Sequence, residues 1–338
     1  MSKLTRYFLI GSIGFLIVGL SIGVLAYYNG GLTALTRRGP DELQFVPANA
    51  TVVAYADVQR IMQSNFRQRM KEFEGAKSQS GQQEFLDQTG IDIEKDIQSV
   101  IGYMTAGDAD STTHESGVVM AKGNFDQPRI TEFVRQKGGT VGDYRGKAFM
   151  TFGKAGLPDT NGALAFLGQN QVAVGSADAV RRAIDVSQQQ APGGALTQNE
   201  KMMALIGDVD NGTAWVVGRF DALSSQAHLP PQVSSQIPPI SWFSASTNID
   251  GGVSGRLSVE ATDEKAAANL VSVIQGLKGL ASLQTRSTNV PTQMQQVLDS
   301  FQVTQGGEGN KTLTLHFSLP AEMLDALSTL GKGTQRKK

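Results

Sequence analysis

The chain contains three histidines and no cysteine. Without cysteine there can be no thiolate nucleophile, disulfide, iron–sulfur cluster or cysteine-ligated zinc. His114, His228 and His316 are far apart, and none of them belongs to an HExxH motif or to another metal-ligand spacing. His316 alternates with apolar neighbours in a predicted strand, which indicates a side chain that faces solvent. The histidines therefore do not predict a metalloprotease.

A run of oxygen-bearing side chains from Gly107 to Glu115, with the sequence GDADSTTHE, is the best candidate for metal binding. Alternating carboxylate and hydroxyl oxygens of this kind can surround Ca2+. The run departs from the EF-hand pattern, because Thr113 occupies the glycine position and Val119 the position of the closing glutamate. An exposed turn and a weak cation loop both stay open as interpretations, and we assign no metal ligand.

Nucleophilic catalysis in this chain would need serine, threonine or lysine. The sequence contains no Ser-x-x-Lys pair, P-loop or GxGxxG motif. Residues Gly19 to Gly23, GLSIG, match the GxSxG of hydrolases, but that motif requires a strand, a turn and a helix around its serine. Ser21 instead lies inside a long apolar segment. We therefore assign no catalytic residue, no cofactor and no cofactor-binding residue.

The apolar segment from Tyr7 to Tyr28 is predicted to be a transmembrane helix. It contains no charged residue, and a helix of this length would span roughly 33 Å, which is enough to cross a bilayer core. Lys3 and Arg6 precede the segment, which predicts a cytoplasmic N-terminus. A cleaved signal peptide is the alternative, since Val24–Ala26 resembles a peptidase site, but the apolar stretch is longer than signal peptides require.

The predicted location is the bacterial inner membrane, crossed once, with the rest of the chain outside the cytoplasm. The absence of cysteine favours a bacterial envelope protein over a secreted eukaryotic domain. The lipid bilayer is therefore an expected partner. Gly19 and Gly23 form a GxxxG pair that would let two helices approach closely, so a weak homodimer through these residues is a second hypothesis. The alternative is the ordinary glycine content of a membrane helix.

Beyond the anchor, hydrophobic patterning predicts an α+β fold with mainly antiparallel strands. Thr51–Asp57 has the β-branched and aromatic content of a strand, and apolar residues spaced three and four apart from Val58 to Phe73 predict one amphipathic helix after it. Thr140–Tyr144 and Lys147–Phe152 predict a hairpin. Ser176 is predicted to cap a further helix that buries Val180, Ala183 and Ile184.

The polar segment Ser187–Gly194 predicts a boundary between two related sheet-plus-helix units. After it, Thr197 and Glu200 predict a capping box, and strands at Ile240–Asn248 and Val253–Ala261 precede a predicted helix. The predicted organisation is a cytoplasmic N-terminus at 1–6, a transmembrane helix at 7–28, a spacer at 29–44, a first α+β unit at 45–190, a second at 191–330 and a disordered basic tail at 331–338.

Two short segments carry a resemblance to a known family. The lead into the first strand reads VPANATVVAYAD from Val46 to Asp57, and GIDIEKDI follows from Gly90 to Ile97. With these segments and its element order, the chain resembles the DUF3352-like group of uncharacterised bacterial membrane-anchored proteins. The resemblance implies an anchored, duplicated α+β unit and supplies no site residues. The second half lacks a counterpart of Gly90–Ile97 and has the proline-bounded loop Leu229–Pro239, which departs from a strict duplication.

Charge and composition limit the functions open to the chain. The 30 basic and 31 acidic residues leave a formal net charge of -1, so no bulk field attracts nucleic acid and we exclude it as a partner. The leading hypothesis is a non-enzymatic binding or scaffolding module of the cell envelope, with other envelope proteins as partners.

Two alternatives stay open beside this hypothesis. One is an envelope hydrolase whose catalytic groups come from distant segments of the chain. The other is a carrier of an apolar ligand between the two units, suggested by the pairs Met202-Met203 and Trp242-Phe243. Core packing explains those pairs better.

Overall fold

A computed structural model describes residues 39–71, 83, 85–105, 116–152, 162–222, 238–249, 252–287 and 299–320. The predicted transmembrane helix, with Gly19 and Gly23, lies outside these residues, as do the Gly107–Glu115 run and the basic tail. Among the residues described, no helix combines the length and the apolar character that a membrane crossing requires. The described chain forms two compact units: an N-terminal unit of residues 39–63 and 70–210, and a C-terminal unit of residues 64–69 and 211–320.

The N-terminal unit is built on a sheet with the strand order β1-β2-β3-β7-β6-β5-β4. Its strand pairs are all antiparallel. Hairpin connections explain most of this order, because neighbouring strands in sequence can pair through tight turns. The strands are β1 (Ala50–Asp57), β2 (Ile97–Thr105), β3 (Ser116–Gly123), β4 (Thr140–Tyr144), β5 (Lys147–Phe152), β6 (Gly162–Gly168) and β7 (Gln171–Ser176).

Helices and 3-10 turns alternate with these strands along the chain. A 3-10 turn at Asp41–Phe45 precedes β1, and another at Leu196–Gln198 precedes the last helix of the unit. In chain order these α-helices are α1 (Val58–Gln63), α2 (Asn65–Lys71), α3 (Ile93–Asp96), α4 (Gln127–Gln136), α5 (Ala177–Ser187) and α6 (Glu200–Gly207), and most of α2 belongs to the C-terminal unit.

The two faces of the N-terminal sheet bury different helices. On one face, Ile130 and Val134 of α4 pack with Met150, Phe166 and Val172 of the strands. On the other face, α5 contributes Val180, Ala183 and Ile184, each fully buried. The predicted buried residues of α5 are thus confirmed, and Ser176 caps that helix by accepting a hydrogen bond from the Ala179 N–H.

Several local predictions are confirmed, and two are wrong. The predicted hairpin of β4 and β5 forms, with Arg145 and Gly146 at positive φ in its turn. The single helix predicted from Val58 is instead two helices, because the Ser64 hydroxyl caps a new helix by accepting from the Arg67 N–H at 3.1 Å. The predicted capping box is also wrong, since Asn199 caps α6 by accepting from the Met202 N–H.

The C-terminal unit is a smaller sheet with one long helix. Its strands have the order β11-β12-β10-β9-β8, and each neighbouring pair in this order is antiparallel. Leu270, Ala266 and Ala267 of the helix pack on Leu313 and Ala261 of the sheet. The elements are β8 (Ala214–Arg219), β9 (Ile240–Ile249), β10 (Val253–Ala261), α7 (Glu264–Ser287), β11 (Gln302–Gly306), a 3-10 turn at Glu308–Asn310, and β12 (Thr312–Leu319).

Both units are thus mixed α/β with antiparallel sheets, as the patterning predicts. The segment after residue 190, which the sequence assigns to the second unit, packs within the N-terminal unit. Ala195 forms an isolated bridge with Pro47, and the Asn199 side chain donates to the Ala48 carbonyl at 3.0 Å. Duplication of one unit into the other stays a prediction.

Candidate functional site

A row of five side chains crosses the strands of the C-terminal unit from β8 to β11. Trp215 lies opposite Ser246, Ser246 opposite Arg256, Arg256 opposite His316, and His316 opposite Gln302. Residues directly opposed in antiparallel strands point to the same face of the sheet. These side chains therefore share one face, and it is the face opposite the one that packs on α7.

Polar residues continue on either side of this row. One neighbouring row contains Asn248, Ser254 and Ser318. The other contains Ser244, Ser258, Thr314 and Thr304 in register, and the Ser258 and Thr314 hydroxyls lie 3.1 Å apart. From β9 to β12, every side chain of the three rows is polar. We call this surface the polar face.

A depression of 420 Å³ lies in the polar face. Ser246 and Ser254 are only 8% exposed there, whereas His316 and Ser318 are exposed. Buried hydroxyls at the base and exposed groups at the rim form a concave, hydrogen-bonding surface. The residues that line it are Asn211, Ser246, Asn248, Ser254, Gly255, Arg256, Ser300, Gln302, His316, Phe317 and Ser318.

The charges of the polar face are concentrated at its centre. Arg256 and His316 are directly opposed, which places their Cβ atoms about 5 Å apart. Glu260 is the acidic residue that strands β8 to β12 contain, and it lies four residues along β10 from Arg256, or about 13 Å. The centre of the face therefore brings a guanidinium and an imidazole side by side.

A second polar cluster lies in the N-terminal unit, where the 3-10 turn Asp41–Phe45 places Glu42 against the sheet. Glu42 is 5% exposed. The Ser99 hydroxyl donates to Glu42 Oε1 at 2.6 Å, and Lys122 Nζ lies 3.6 Å from the same oxygen. With Tyr55 and Asp57, these residues line a depression of 210 Å³.

Burial dominates the electrostatics of this second cluster. It raises the pKa of the Tyr55 phenol, and the nearby charges of Asp57 and Glu42 raise it further, against a hydrogen bond with Ser99. Burial also raises the pKa of Asp57, and the backbone N–H and the positive charge of Arg60 offset part of this increase. Asp57 accepts from the Arg60 N–H at 2.9 Å and so caps α1.

Glu42, Ser99 and Lys122, which we call the Glu42 cluster, hold the 3-10 turn against the sheet and are not arranged for nucleophilic catalysis. The Ser99 hydroxyl donates to the Glu42 carboxylate, and the same carboxylate pairs with the ammonium of Lys122. Lys122 is therefore held by Glu42 and is not positioned to deprotonate Ser99. Within the same turn, Leu43 is 1% exposed. The cluster therefore locks the entry of the chain into the N-terminal unit.

His316 is the one residue that the sequence analysis considered for chemistry and that the structure brings into the candidate site. Its predicted solvent exposure on a polar strand face is confirmed. His114 and His228 lie outside the described residues. Arg256 and Ser246 were missed, although a signal exists: β9, β10 and β12 each carry a polar residue at every second position in 244–248, 254–258 and 314–318. The described residues contain no group of three or more His, Asp or Glu side chains suited to a metal ion.

The fold and the site define a mixed α/β protein of two antiparallel units with a concave polar face. The chain belongs to the family described as protein of unknown function DUF3352, whose sequence profile matches residues 9–301. This confirms the resemblance to the DUF3352 group, and membrane anchoring stays a prediction.

Two solved structures of TP0453 also match the chain. Crystal form III has 13% sequence identity and a TM-score of 0.44, with 87% of this chain and 100% of that chain covered. Crystal form I has 14% identity and a TM-score of 0.43, with 86% and 97% covered. The comparison with curated proteins gives no match.

Proposed function

We propose that this protein is a membrane-tethered, extracytoplasmic binding module without catalytic activity, and that the polar face of the C-terminal unit is its binding surface. The observation that carries the proposal is the Arg256–His316 pair at the centre of a concave, hydrogen-bonding face. Polar groups that converge in a concave surface are typical of ligand sites.

The chemistry of the polar face favours binding over hydrolysis. Hydrolysis of a glycosidic bond needs two carboxylates about 5 to 9.5 Å apart, and strands β8 to β12 carry Glu260 as their one carboxylate. An acyl-transfer site would need a serine activated by a base. The register opposes no histidine or carboxylate directly to either buried serine: Ser246 lies opposite Trp215 and Arg256, and Ser254 opposite Asn248 and Ser318.

The entry of the chain into the N-terminal unit sets the reach that the proposed tether would have. The Gly39 N–H donates to Asp210 Oδ2 at 2.9 Å, and Leu43 and Val46 are buried in the core. If the predicted anchor ends at Tyr28, the ten or so residues before Gly39 can extend at most about 35 Å. The fixed end of the tether would then keep this unit within about 35 Å of the bilayer.

Site-specific photo-crosslinking tests the binding surface in the full-length protein. A benzophenone amino acid is placed at Ser318, which is exposed on the polar face, and in a matched chain at Leu257, which is 36% exposed on the opposite face. We expect irradiation of intact cells to give adducts at Ser318 and few at Leu257. No adduct at Ser318, or equal yields at the two positions, would reject the polar face as the binding surface.

A further inference from the structure

We infer that α7 contains a hinge at Gly276 and Gly279, where the last turns of the helix open separately from the part that packs on the sheet. This motion is independent of the proposed function, since the helix would open whether or not the polar face binds a ligand. Two features carry it: the point at which α7 passes the end of β11, and the residues that the helix has there.

The first part of α7 lies along β11, from one end of that strand to the other. At the start of the helix, the Gln305 side chain donates to the Glu264 carbonyl at 3.4 Å. Further along, Lys278 Nζ donates to the Phe301 carbonyl, just before β11, at 2.7 Å. Between these two ties, Ile274 packs against the buried core of the unit. The helix rises about 21 Å over this stretch, and β11 is about 17 Å long, so α7 passes the end of β11 at Lys278.

Two glycines stand on either side of Lys278, inside a helix that continues to Ser287. Gly276 and Gly279 are both exposed, and a Cβ added to either would meet no described atom within 4 Å outside the neighbouring backbone of the helix itself. Close packing against the described residues therefore explains neither glycine. A glycine in a helix interior disfavours the helix roughly fivefold relative to alanine, because it loses more backbone freedom when it is ordered. The pair together disfavours the helix by roughly twentyfold.

The glycines thus weaken α7 where it leaves β11. In an α-helix, the amides of residues 280–283 donate to the carbonyls of residues 276–279, so these hydrogen bonds cross the glycine pair. Their opening separates the last turns from the first part of the helix. That part stays held by Ile274 and by its cap, in which the Asp263 carboxylate accepts from the Ala266 N–H at 2.8 Å. Local opening of this kind starts where a helix is least stable.

Lys278 connects the hinge to the rim of the depression in the polar face. It lies between the two glycines, and its acceptor Phe301 lies between Ser300 and Gln302, which both line the depression. When the helix opens at the hinge, Lys278 leaves the Phe301 carbonyl, and the chain that enters β11 loses this tie. The rim is therefore looser when α7 is open. An effect on binding rests on the proposed function, whereas the motion itself does not.

Hydrogen exchange of the purified full chain, resolved to single amides by mass spectrometry, tests the hinge. We expect the amides of residues 280–283 to be protected at least about tenfold less than those of residues 270–274, with a step at the glycines. The double variant Gly276→Ala/Gly279→Ala should raise the protection of residues 280–283 by roughly twentyfold. Gly207→Ala adds the same methyl group in open space at the end of α6, and it should leave that protection unchanged.

A second variant, Lys278→Gln, tests the connection to the rim. Because it removes the tie to Phe301, exchange at residues 280–283 and at residues 300–303 should both become several-fold faster. Lys265→Gln, at an exposed position in the first part of α7, should change neither.

The outcomes separate the hinge from the proposed function. A gradual loss of protection along α7, or a step that survives Gly276→Ala/Gly279→Ala, would overturn the hinge. Unchanged exchange at residues 300–303 in Lys278→Gln would overturn its connection to the rim. Absence of photo-adducts at Ser318, with the step at the glycines present, would reject the proposed function and leave the hinge standing.

Discussion

Replacement of Glu42 tests whether the 3-10 turn before β1 fastens the chain to the N-terminal unit. In Glu42→Ala, the Ser99 hydroxyl loses the carboxylate to which it donates at 2.6 Å. Ser99 is only 6% exposed, so water cannot easily replace the lost acceptor. Lys122 also loses its ion-pair partner at 3.6 Å, but its side chain is 40% exposed and stays hydrated.

These terms set the expected size of the effect. The loss of a hydrogen bond to a buried carboxylate costs about 1.5–3 kcal/mol, and an exposed ion pair contributes about 0.5 kcal/mol. Removal of a buried carboxylate also relieves its own desolvation, which offsets part of the loss. We therefore expect Glu42→Ala to lower the free energy of unfolding by about 2 kcal/mol. Glu42→Gln keeps an oxygen acceptor for Ser99 and should cost about 1 kcal/mol less than Glu42→Ala.

Urea unfolding followed by circular dichroism measures the difference. With an m value of roughly 2 kcal/mol/M, the midpoint of Glu42→Ala should fall by about 1 M. Asp41→Ala is the matched control, because Asp41 is the exposed neighbour in the same turn, and it should cost less than about 0.5 kcal/mol. If Glu42→Ala shifts the midpoint no more than Asp41→Ala does, with m unchanged, the Glu42 cluster does not fasten the chain.

Three further predictions concern the cap of α1, the cap of α6 and the topology. Burial raises the pKa of Asp57 above its ordinary 3.8, so ionised Asp57 lowers stability at neutral pH, and this penalty disappears as the pH falls through the raised pKa to 3.8. The melting temperature of Asp57→Asn should therefore match or exceed that of the parent chain at neutral pH and lose any advantage below about pH 4. A stabilisation that grows on acidification would contradict this. Asn199→Ala removes the α6 cap and the hydrogen bond to the Ala48 carbonyl, and it should lower the free energy of unfolding in urea by about 1–2 kcal/mol. Thr197→Ala should cost less than about 0.5 kcal/mol. A larger loss for Thr197→Ala than for Asn199→Ala would support the capping box instead. Protease added to spheroplasts should digest residues 39–320 as readily as a periplasmic control, whereas survival equal to that of a cytoplasmic control would show the opposite orientation.

The sequence predicts local structure well where a short-range signal decides it. The β4–β5 hairpin needs only alternating residues and a turn that accepts positive φ, which Arg145-Gly146 provides. The Ser176 cap needs one hydroxyl within three residues of the backbone N–H that it accepts from. The two errors have the same cause. Both Ser64 and Asn199 are good caps that compete with a stronger-looking pattern nearby, and the local backbone decides between them.

The candidate site could not be predicted in the same way, because strand register creates it. Ser246 and Arg256 are joined by one hairpin, but His316 comes from a strand that follows α7 and β11. Only the pairing of Arg256 with His316 places the two side chains together, and a shift of one residue would turn His316 to the other face. A sequence shows that each strand has a polar face and does not show which residues of different strands become neighbours.

The register of β10 and β12 also places the residues that stabilise the core and those of the proposed binding surface on opposite faces of the sheet. In β12, Leu313 is 1% exposed and packs with Ala267 of α7, while His316 and Ser318 point to the polar face. Because successive residues of a strand point to opposite faces, the side chains that hold α7 on the sheet are not those that line the depression. An antiparallel sheet can keep one face hydrated as long as the other is covered. The exposed side chains of the polar face, such as His316 and Ser318, can therefore change without loss of the contacts that hold α7 on the sheet.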